Sequence, residues 1–98
     1  MAAIRRFDIE DVLNTHADVF ECAVVGIPSG KWGETPVAYA VPAPGANPDP
    51  QELRAWLNAR LGKTQRVADV RLVAELPRSP IGKILKRELV AGYTSENA

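Results

Sequence analysis

Residues 76–89 constrain the fold of this chain more than any other stretch. They place two prolines and a glycine directly ahead of a basic, helix-like run. Each proline fixes φ and lacks an N–H donor, which excludes regular helix before Gly82. Gly82 itself permits a tight or left-handed turn. The apolar spacing that follows predicts a short helix over residues 83–90. We therefore expect Lys83 to present one ammonium group at the junction between a stiff exposed loop and a helix.

The composition is that of one small soluble globular domain. The chain has 98 residues, of which 46% are hydrophobic and 24% are charged, both ordinary fractions. It contains no apolar run near the roughly 20 residues that span a membrane, and its first seven residues lack an apolar signal core. The single cysteine, Cys22, cannot form an internal disulfide, which favours a reducing cytoplasm. Because Cys22 opens an apolar run, we interpret it as a small buried hydrophobe rather than a nucleophile.

The formal charge sums to zero but is distributed unevenly along the chain. Residues 1–50 carry seven acids and three bases, whereas residues 51–98 carry five acids and nine bases. A nucleic-acid-binding domain typically has a net positive charge with a clustered basic surface. Here the basic excess gathers beside the proline-rich loop, at Arg78, Lys83, Lys86 and Arg87. This distribution favours one anionic ligand over a polyanion.

The first predicted helix follows residue 8. Asp8 is the expected N-cap, and Phe7 just before it is the expected hydrophobic staple. Ile9, Val12 and Leu13 have the i, i+3, i+4 spacing of a buried helix face.

Two apolar runs, residues 22–28 and 36–42, predict strands joined by a loop short enough for antiparallel pairing. Trp32, in that loop, is interpreted either as a lid packed over the strand pair or as a contact for another surface. Residues 70–75 predict a third strand, with Val70, Leu72 and Ala74 facing inward and Arg71, Val73 and Glu75 facing outward.

The second helix has the most complete set of end signals. Asp49 is the expected N-cap, Pro50 occupies the first helical position and Glu52 completes a capping box. Gly62 is expected to end the helix. Its apolar face is formed by Leu53, Trp56, Leu57 and Leu61. With the residues after Tyr93 expected to fray, the element order predicts an α+β fold: a small mixed three-stranded sheet packed with three helices.

Several kinds of catalytic site are excluded because the sequence lacks the residues that they require. A Walker phosphate loop requires glycine and a hydroxyl residue where this chain has Pro77 and Ile84. His16, with no cysteine or second histidine nearby, is interpreted as a partly exposed residue of a loop or helix end, and no metal site is expected. Taken alone, Lys83 would be read as a solvated surface charge.

Two motifs together change that interpretation of Lys83. One is the Pro-x-x-x-x-Gly-Lys run of residues 77–83 with the basic helix after it. The other is residues 8–36, containing Ala-Val-Val-Gly-Ile-Pro and Trp-Gly-Glu-Thr-Pro. In this order and spacing, nearly the whole chain resembles the C-terminal domain of the adenylate-forming (AMP-binding) enzymes, most closely the acyl-CoA synthetases. The resemblance implies an acetyl-CoA-synthetase-like C-terminal domain, a single lid domain over residues 1–98.

The resemblance also implies a function. In this family the domain is the mobile part of an ATP-dependent acid–thiol ligase, as in fatty acid metabolism, and ATP or AMP with Mg and coenzyme A bind the full-length enzyme rather than this domain alone. The lysine at the position of Lys83 contacts the carboxylate and the nucleotide during adenylation, within a loop shaped by Pro77, Ser79 and Gly82. A second face, used for thioester formation with coenzyme A, would include Lys31, Trp32, Gly33 and Glu34.

The implied partners are a large N-terminal AMP-binding domain (in the same chain or a separate one), a carboxylic acid substrate and a protein acyltransferase that modifies Lys83. Neither a nucleic acid partner nor a membrane span is expected. The chain departs from the family at residues 1–6, where relatives carry a Gly-rich stretch, and the hinge and preceding hairpin are absent. We therefore expect the isolated chain to be inactive. Two alternatives stay open: a free-standing binding module with the same fold, and the equivalent domain of a peptide-synthetase adenylation enzyme, whose acceptor is a carrier protein.

Overall fold

A computed structural model describes residues 6–29, 33–61 and 66–96. Within these ranges the chain forms three helices and three strands. In chain order they are α1 (Arg6–Leu13), β1 (Val19–Ser29), β2 (Gly33–Pro42), α2 (Pro50–Arg60), β3 (Asp69–Leu72) and α3 (Lys86–Glu96).

The three strands form one mixed sheet with the order β1-β2-β3. β1 and β2 pair antiparallel along their whole length, from Val19 opposite Pro42 to Ser29 opposite Gly33. β3 lies parallel to β2, with Ala38 opposite Val70. A parallel pair needs a long crossover, and the crossover here contains α2. The predicted α+β fold with a mixed three-stranded sheet and three helices is confirmed.

The two faces of the sheet bury two separate apolar clusters, which we call the first core and the second core. The first core lies under α1 and α2, and its largest members are Ile9, Leu13, Val24, Leu53 and Leu57. The second core lies under α3 and includes Val25, Val37, Tyr39, Leu76 and Leu89. Alternate residues of β1 point into different cores, as the two-residue period of a strand requires.

The predicted burial of α1 is confirmed, but its predicted start is wrong. Ile9 and Leu13 are fully buried and Val12 packs against the first core. The helix begins at Arg6, so Asp8 lies inside the first turn and is not the N-cap. The staple assigned to Phe7 depends on a side chain outside the described ones.

The observed start and buried face of α2 match those predicted from the sequence. The Asp49 carboxylate accepts hydrogen bonds from the backbone N–H groups of Gln51 (2.7 Å) and Glu52 (3.4 Å), and Pro50 is the first helical residue. Leu53 and Leu57 are buried, while Trp56 and Leu61 are partly buried against the first core. Gly62, expected to end the helix, lies outside the described residues, and the helix ends at Arg60.

The third strand is shorter than predicted. β3 ends at Leu72, so Ala74 is exposed instead of facing inward. Val73, expected to face outward, packs against the second core. Val73 is covered because α3 packs on the sheet face that the sequence pattern would leave to solvent.

The third helix both begins and ends later than predicted. It starts at Lys86, not Lys83, and it continues to Glu96 instead of fraying after Tyr93. Two hydrogen bonds hold α3 on the sheet: the Tyr39 hydroxyl donates to the Leu89 carbonyl (3.2 Å), and the Tyr93 hydroxyl donates to the Asp69 carboxylate (3.1 Å). These tertiary contacts stabilise a helix end whose own sequence is polar.

Candidate functional site

Lys83 lies in a small β-hairpin, residues 77–85, which we call the Lys83 hairpin. Arg78 and Ile84 form an antiparallel bridge. At its tip, the N–H of Gly82 donates to the carbonyl of Ser79 and the N–H of Ser79 donates to the carbonyl of Lys83, both at 2.8 Å. Gly82 has φ of 87°. This is the geometry of a β-turn closed by a left-handed glycine, the common three-residue hairpin loop.

The four residues predicted to form the lysine loop all contribute to this hairpin. The Pro77 carbonyl accepts a 2.8 Å hydrogen bond from the N–H of Leu85. The Ser79 hydroxyl oxygen accepts a 3.2 Å hydrogen bond from the N–H of Lys83. Gly82 supplies the left-handed φ that closes the turn. The structure therefore brings Pro77, Ser79, Gly82 and Lys83 together in one hydrogen-bonded hairpin.

The hairpin is attached to the sheet by Arg78. One terminal nitrogen of its guanidinium donates to the Gly82 carbonyl at 2.9 Å, and the other pairs with the Glu21 carboxylate on β1. Leu76, just before the hairpin, is buried in the second core, and Ile84 packs against the same core. The base of the hairpin is thus fixed, whereas its tip extends outward, with Ile81 88% exposed.

The Lys83 side chain projects from this fixed base into solvent. It is exposed, and no acidic side chain within the described part of the chain pairs with its ammonium. Lys86, three residues later, differs: its ammonium lies 2.7 Å from the Glu10 carboxylate of α1. The same oxygen of Glu10 accepts a 2.6 Å hydrogen bond from the N–H of Val24. Lys86 therefore serves the fold, and Lys83 is left available for an anionic ligand.

The second predicted surface is only partly described. Lys31 and Trp32 lie outside the described residues, so the choice between packing and contact for Trp32 stays a prediction. Gly33 and Glu34 begin β2 and are exposed. Glu34 lines an open depression together with Pro28, Lys86, Arg87 and Val90. Lys86 and Arg87 also line the depression beside Lys83, so the two predicted surfaces meet at the start of α3.

The surroundings of Cys22 and His16 fit a structural role for each residue rather than a catalytic one. Burial, followed by the nearby Glu10 carboxylate, raises the pKa of the Cys22 thiol from 9.0 to about 12. Such a thiol is a poor nucleophile, as expected. His16 accepts the N–H of Asp18 at Nδ1 (3.0 Å), and its ring lies edge-on to Trp56 with centroids 4.6 Å apart. The prediction that His16 is a partly exposed residue of a loop or helix end is confirmed.

The described ranges contain neither a metal-binding cluster nor a membrane-spanning helix. In residues 6–29, 33–61 and 66–96, no group of three His, Cys, Asp or Glu side chains is placed to hold a metal ion. None of the helices there is long and apolar enough to cross a membrane.

The contacts of Glu10 and Glu21 were not predicted from the sequence. Glu21 lies 57 residues from Arg78, and Glu10 lies 76 residues from Lys86. No local spacing links such residues, because the fold alone brings them together. One hint of such a contact was present in the sequence. Glu21 is an acidic residue beside an apolar run, and a charge that becomes partly buried is costly unless it is paired.

Comparison with known proteins gives consistent matches. The family model for the AMP-binding enzyme C-terminal domain matches residues 8–83. The chain is 40% identical over 91 residues to the fatty acid–acyl-carrier-protein ligase ScoC of Streptomyces coeruleorubidus, covering 93% of this chain and 18% of that protein. It is 42% identical over 82 residues to the 2-succinylbenzoate–CoA ligase of Geobacillus kaustophilus, covering 84% and 17% respectively.

Solved structures give the same result at the level of the fold. ATP-bound MatB from Rhodopseudomonas palustris superposes with a TM-score of 0.83 and 30% identity, over 92% of this chain and 18% of that one. The amide bond synthetase McbA from Marinactinospora thermotolerans superposes with a TM-score of 0.82 and 37% identity, over 92% of this chain and 18% of its own. The chain thus spans less than a fifth of the length of these relatives.

Proposed function

Because the chain belongs to the AMP-binding enzyme C-terminal domain family, we propose that it is the mobile C-terminal domain of a cytoplasmic ATP-dependent acyl-CoA synthetase. In this proposal Lys83 supplies the positive charge for carboxylate adenylation in the cleft of a large N-terminal domain. The observation that carries the proposal is the contrast between a fixed hairpin base and an exposed Lys83 ammonium that no described acidic side chain neutralises.

The chemistry of Lys83 follows from charge and reach. Carboxylate attack on a phosphoryl group builds negative charge on oxygens near the α-phosphate, and a positioned ammonium stabilises that charge in a water-poor cleft. Lysine provides a compact charge on a long flexible stem. Because the hairpin is already closed by its own hydrogen bonds, little backbone ordering remains when the domain docks. ATP, its Mg and coenzyme A would be held mainly by the large domain, with Lys83 reaching the nucleotide.

The surface around Glu34 and Arg87 is proposed to take part in the second half-reaction, transfer of the acyl group to a thiol. Coenzyme A is the first candidate acceptor. A carrier-protein thiol is the second, favoured by the relative that ligates fatty acid to acyl-carrier protein. Assaying thioester formation with coenzyme A and with a pantetheinylated carrier protein in parallel distinguishes the two.

The test replaces the matching C-terminal segment of the 2-succinylbenzoate–CoA ligase with this chain, to give what we call the joined enzyme. Lys83→Ala is expected to lower adenylation, measured as ATP–pyrophosphate exchange, by about 10²–10³-fold, the scale of losing one preorganised charge contact. Thiol transfer from preformed acyl-adenylate is expected to change far less, because that step does not use this charge.

Arg66→Ala is the matched control, since it removes an exposed positive charge beside α2, on the opposite side of the sheet. Lys86→Ala is unsuitable, because Lys86 pairs with Glu10. Equal losses in both half-reactions for Lys83→Ala would contradict the proposal. So would robust acyl-CoA formation by the 98-residue chain alone, and that result would instead require a complete active site in this domain.

An exposed Lys83 is also open to a protein acyltransferase, as the resemblance implies. Acetylation removes the charge and adds bulk, so acetyl-Lys83 is expected to behave like Lys83→Ala in the same assays. The rival reading, a free-standing binding module, predicts that neither change affects catalysis in any joined enzyme.

A further inference from the structure

Arg78 joins the tip of the Lys83 hairpin to β1, a strand that is distant in sequence. Its guanidinium donates to the Gly82 carbonyl at the tip of the Lys83 hairpin and to the Glu21 carboxylate on β1. The Gly82 carbonyl directly precedes the backbone nitrogen of Lys83. The contact therefore fixes the peptide from which the Lys83 side chain departs, and fixes it relative to the sheet.

An irregularity in β1 sets the side of the sheet on which the Glu21 side chain lies. The pairing of β1 with β2 shifts between Val19 and Glu21, where Phe20 is the extra residue of a β-bulge. As a result Val19 packs into the first core, while Phe20 is 66% exposed and Glu21 reaches the hairpin on the opposite side. Bulges occur next to functional sites, where they redirect a side chain.

The ion pair between Arg78 and Glu21 adds little to the stability of the fold. The side chains of Arg78 and Glu21 are 41% and 26% exposed. A partly exposed pair of this kind contributes at most about 1 kcal/mol to the free energy of unfolding. The geometry is nonetheless specific, because a guanidinium can bond two acceptors at once and an ammonium on a lysine stem does so poorly.

We propose that Arg78 and Glu21 are positioning residues for Lys83. Together they hold the tip of the Lys83 hairpin at a fixed place on the sheet, so that the ammonium enters the cleft of the large domain in one orientation. This inference rests on the proposed function of Lys83. It adds two residues that act through Lys83 without touching substrate.

The first experiment uses the 98-residue chain and does not depend on catalysis. Arg78→Lys and Glu21→Gln are expected to speed hydrogen exchange of the Ser79 and Gly82 amides several-fold, while the amides that pair β1 with β2 keep their rates. Arg71→Lys is the matched control, because it alters a similarly exposed arginine–carboxylate pair, with Asp69, at β3. Unchanged exchange at Ser79 and Gly82 in both hairpin variants would overturn the proposal.

The second experiment measures the joined enzyme. Arg78→Lys is expected to lower adenylation about 10- to 100-fold, since a displacement near 1 Å at a reacting group can cost about 10²-fold. The loss should fall on kcat more than on KM, and thiol transfer should be retained. Glu21→Gln and the double variant should show similar losses, because both substitutions break the same contact and their effects do not add.

The outcomes separate this inference from the proposed function. If Lys83→Ala abolishes adenylation but Arg78→Lys and Glu21→Gln do not impair it, the positioning role is overturned and the role of Lys83 stands. If Lys83→Ala has no effect, both are overturned. A loss of adenylation that follows a loss of thermal stability in Arg78→Lys and Glu21→Gln, with thiol transfer falling equally, assigns the pair to the fold and also overturns the inference.

Discussion

Gly82 and Gly92 show how the same residue serves opposite purposes. A Cβ added at either position would meet no atom within 4 Å, so space does not distinguish them. Gly82 has φ of 87°, a conformation that costs an L-residue with a side chain roughly 1–2 kcal/mol. Gly92 lies within α3, where glycine weakens the helix relative to alanine.

Alanine at these two positions is expected to shift stability in opposite directions. Gly82→Ala should lower the free energy of unfolding by about 1 kcal/mol, or distort the turn and expose the amides at its tip. Gly92→Ala should raise it by up to about 1 kcal/mol, through helix propensity. Urea unfolding of both variants beside the unsubstituted chain checks the signs. Two shifts of the same sign would show that backbone conformation is not what separates these sites.

At the same scale, the exposed position of Lys83 was predictable from the sequence, whereas the residues that support its hairpin were not. Its exposure was predictable because the prolines, the glycine and the lysine lie within seven residues and predict a projecting loop, whereas its proposed role came from the family resemblance. Arg78 was predicted beside this loop as one of its clustered basic residues. Its partner Glu21 is 57 residues away, beyond the reach of any turn or helix rule.

At the scale of elements, the order of helices and strands was predictable, whereas most of their ends were not. Residues 83–85 carry a helix-like pattern, yet they form the second arm of the Lys83 hairpin, because Ile84 bridges to Arg78. The start of α2 was predictable, since Asp49 and Pro50 act through contacts two or three residues away. The sequence therefore predicts the end of an element where contacts between neighbouring residues fix it. It fails where pairing between distant segments fixes that end.

The contact that unites three elements is the Glu10 carboxylate, which joins α1 to β1 at Val24 and to α3 at Lys86. Glu10→Ala leaves the buried Val24 N–H without its partner, at a cost of about 1–3 kcal/mol. Lys86→Ala removes only a partly exposed ion pair, worth at most about 1 kcal/mol.

We therefore expect Glu10→Ala to destabilise the chain more than Lys86→Ala, as measured by urea unfolding. Glu88→Ala, an exposed acid on α3, is the control and should shift stability by no more than about 0.5 kcal/mol. Equal losses for Glu10→Ala and Lys86→Ala would mean that the ion pair, and not the backbone contact, is the stabilising interaction.

At the scale of the whole molecule, the first core carries one titratable group, Cys22. Its thiol lies 3.4 Å from the Asn14 side-chain oxygen and 3.6 Å from the Glu10 carbonyl. The folded pKa is about 12, against 9.0 when exposed. Between these values the folded chain holds a proton that the unfolded chain has lost, so stability falls as the pH rises.

The expected result is a decline in the free energy of unfolding as pH rises above 9, with a contribution from Cys22 of at most about 1.4 kcal/mol per pH unit. Below pH 9 both states hold the proton and this contribution is fully present. The Cys22→Ala variant lacks the titrating thiol, although the smaller side chain leaves a cavity. Its free energy of unfolding should therefore fall less steeply with pH over the same range. Parallel slopes for the two chains would show that other groups account for the alkaline loss.

The Glu10 contact has a consequence for the behaviour of many copies in solution. β1 lies at the edge of the sheet, and an eleven-residue edge strand is a template on which another extended chain can pair. Glu10 occupies the outward N–H at its centre, Pro28 provides no N–H near one end, and the bulge at Phe20 disturbs the other. A strand from another molecule would therefore meet no continuous row of free N–H donors along β1. We expect the domain to resist intermolecular β-sheet formation at high concentration, despite its long edge strand.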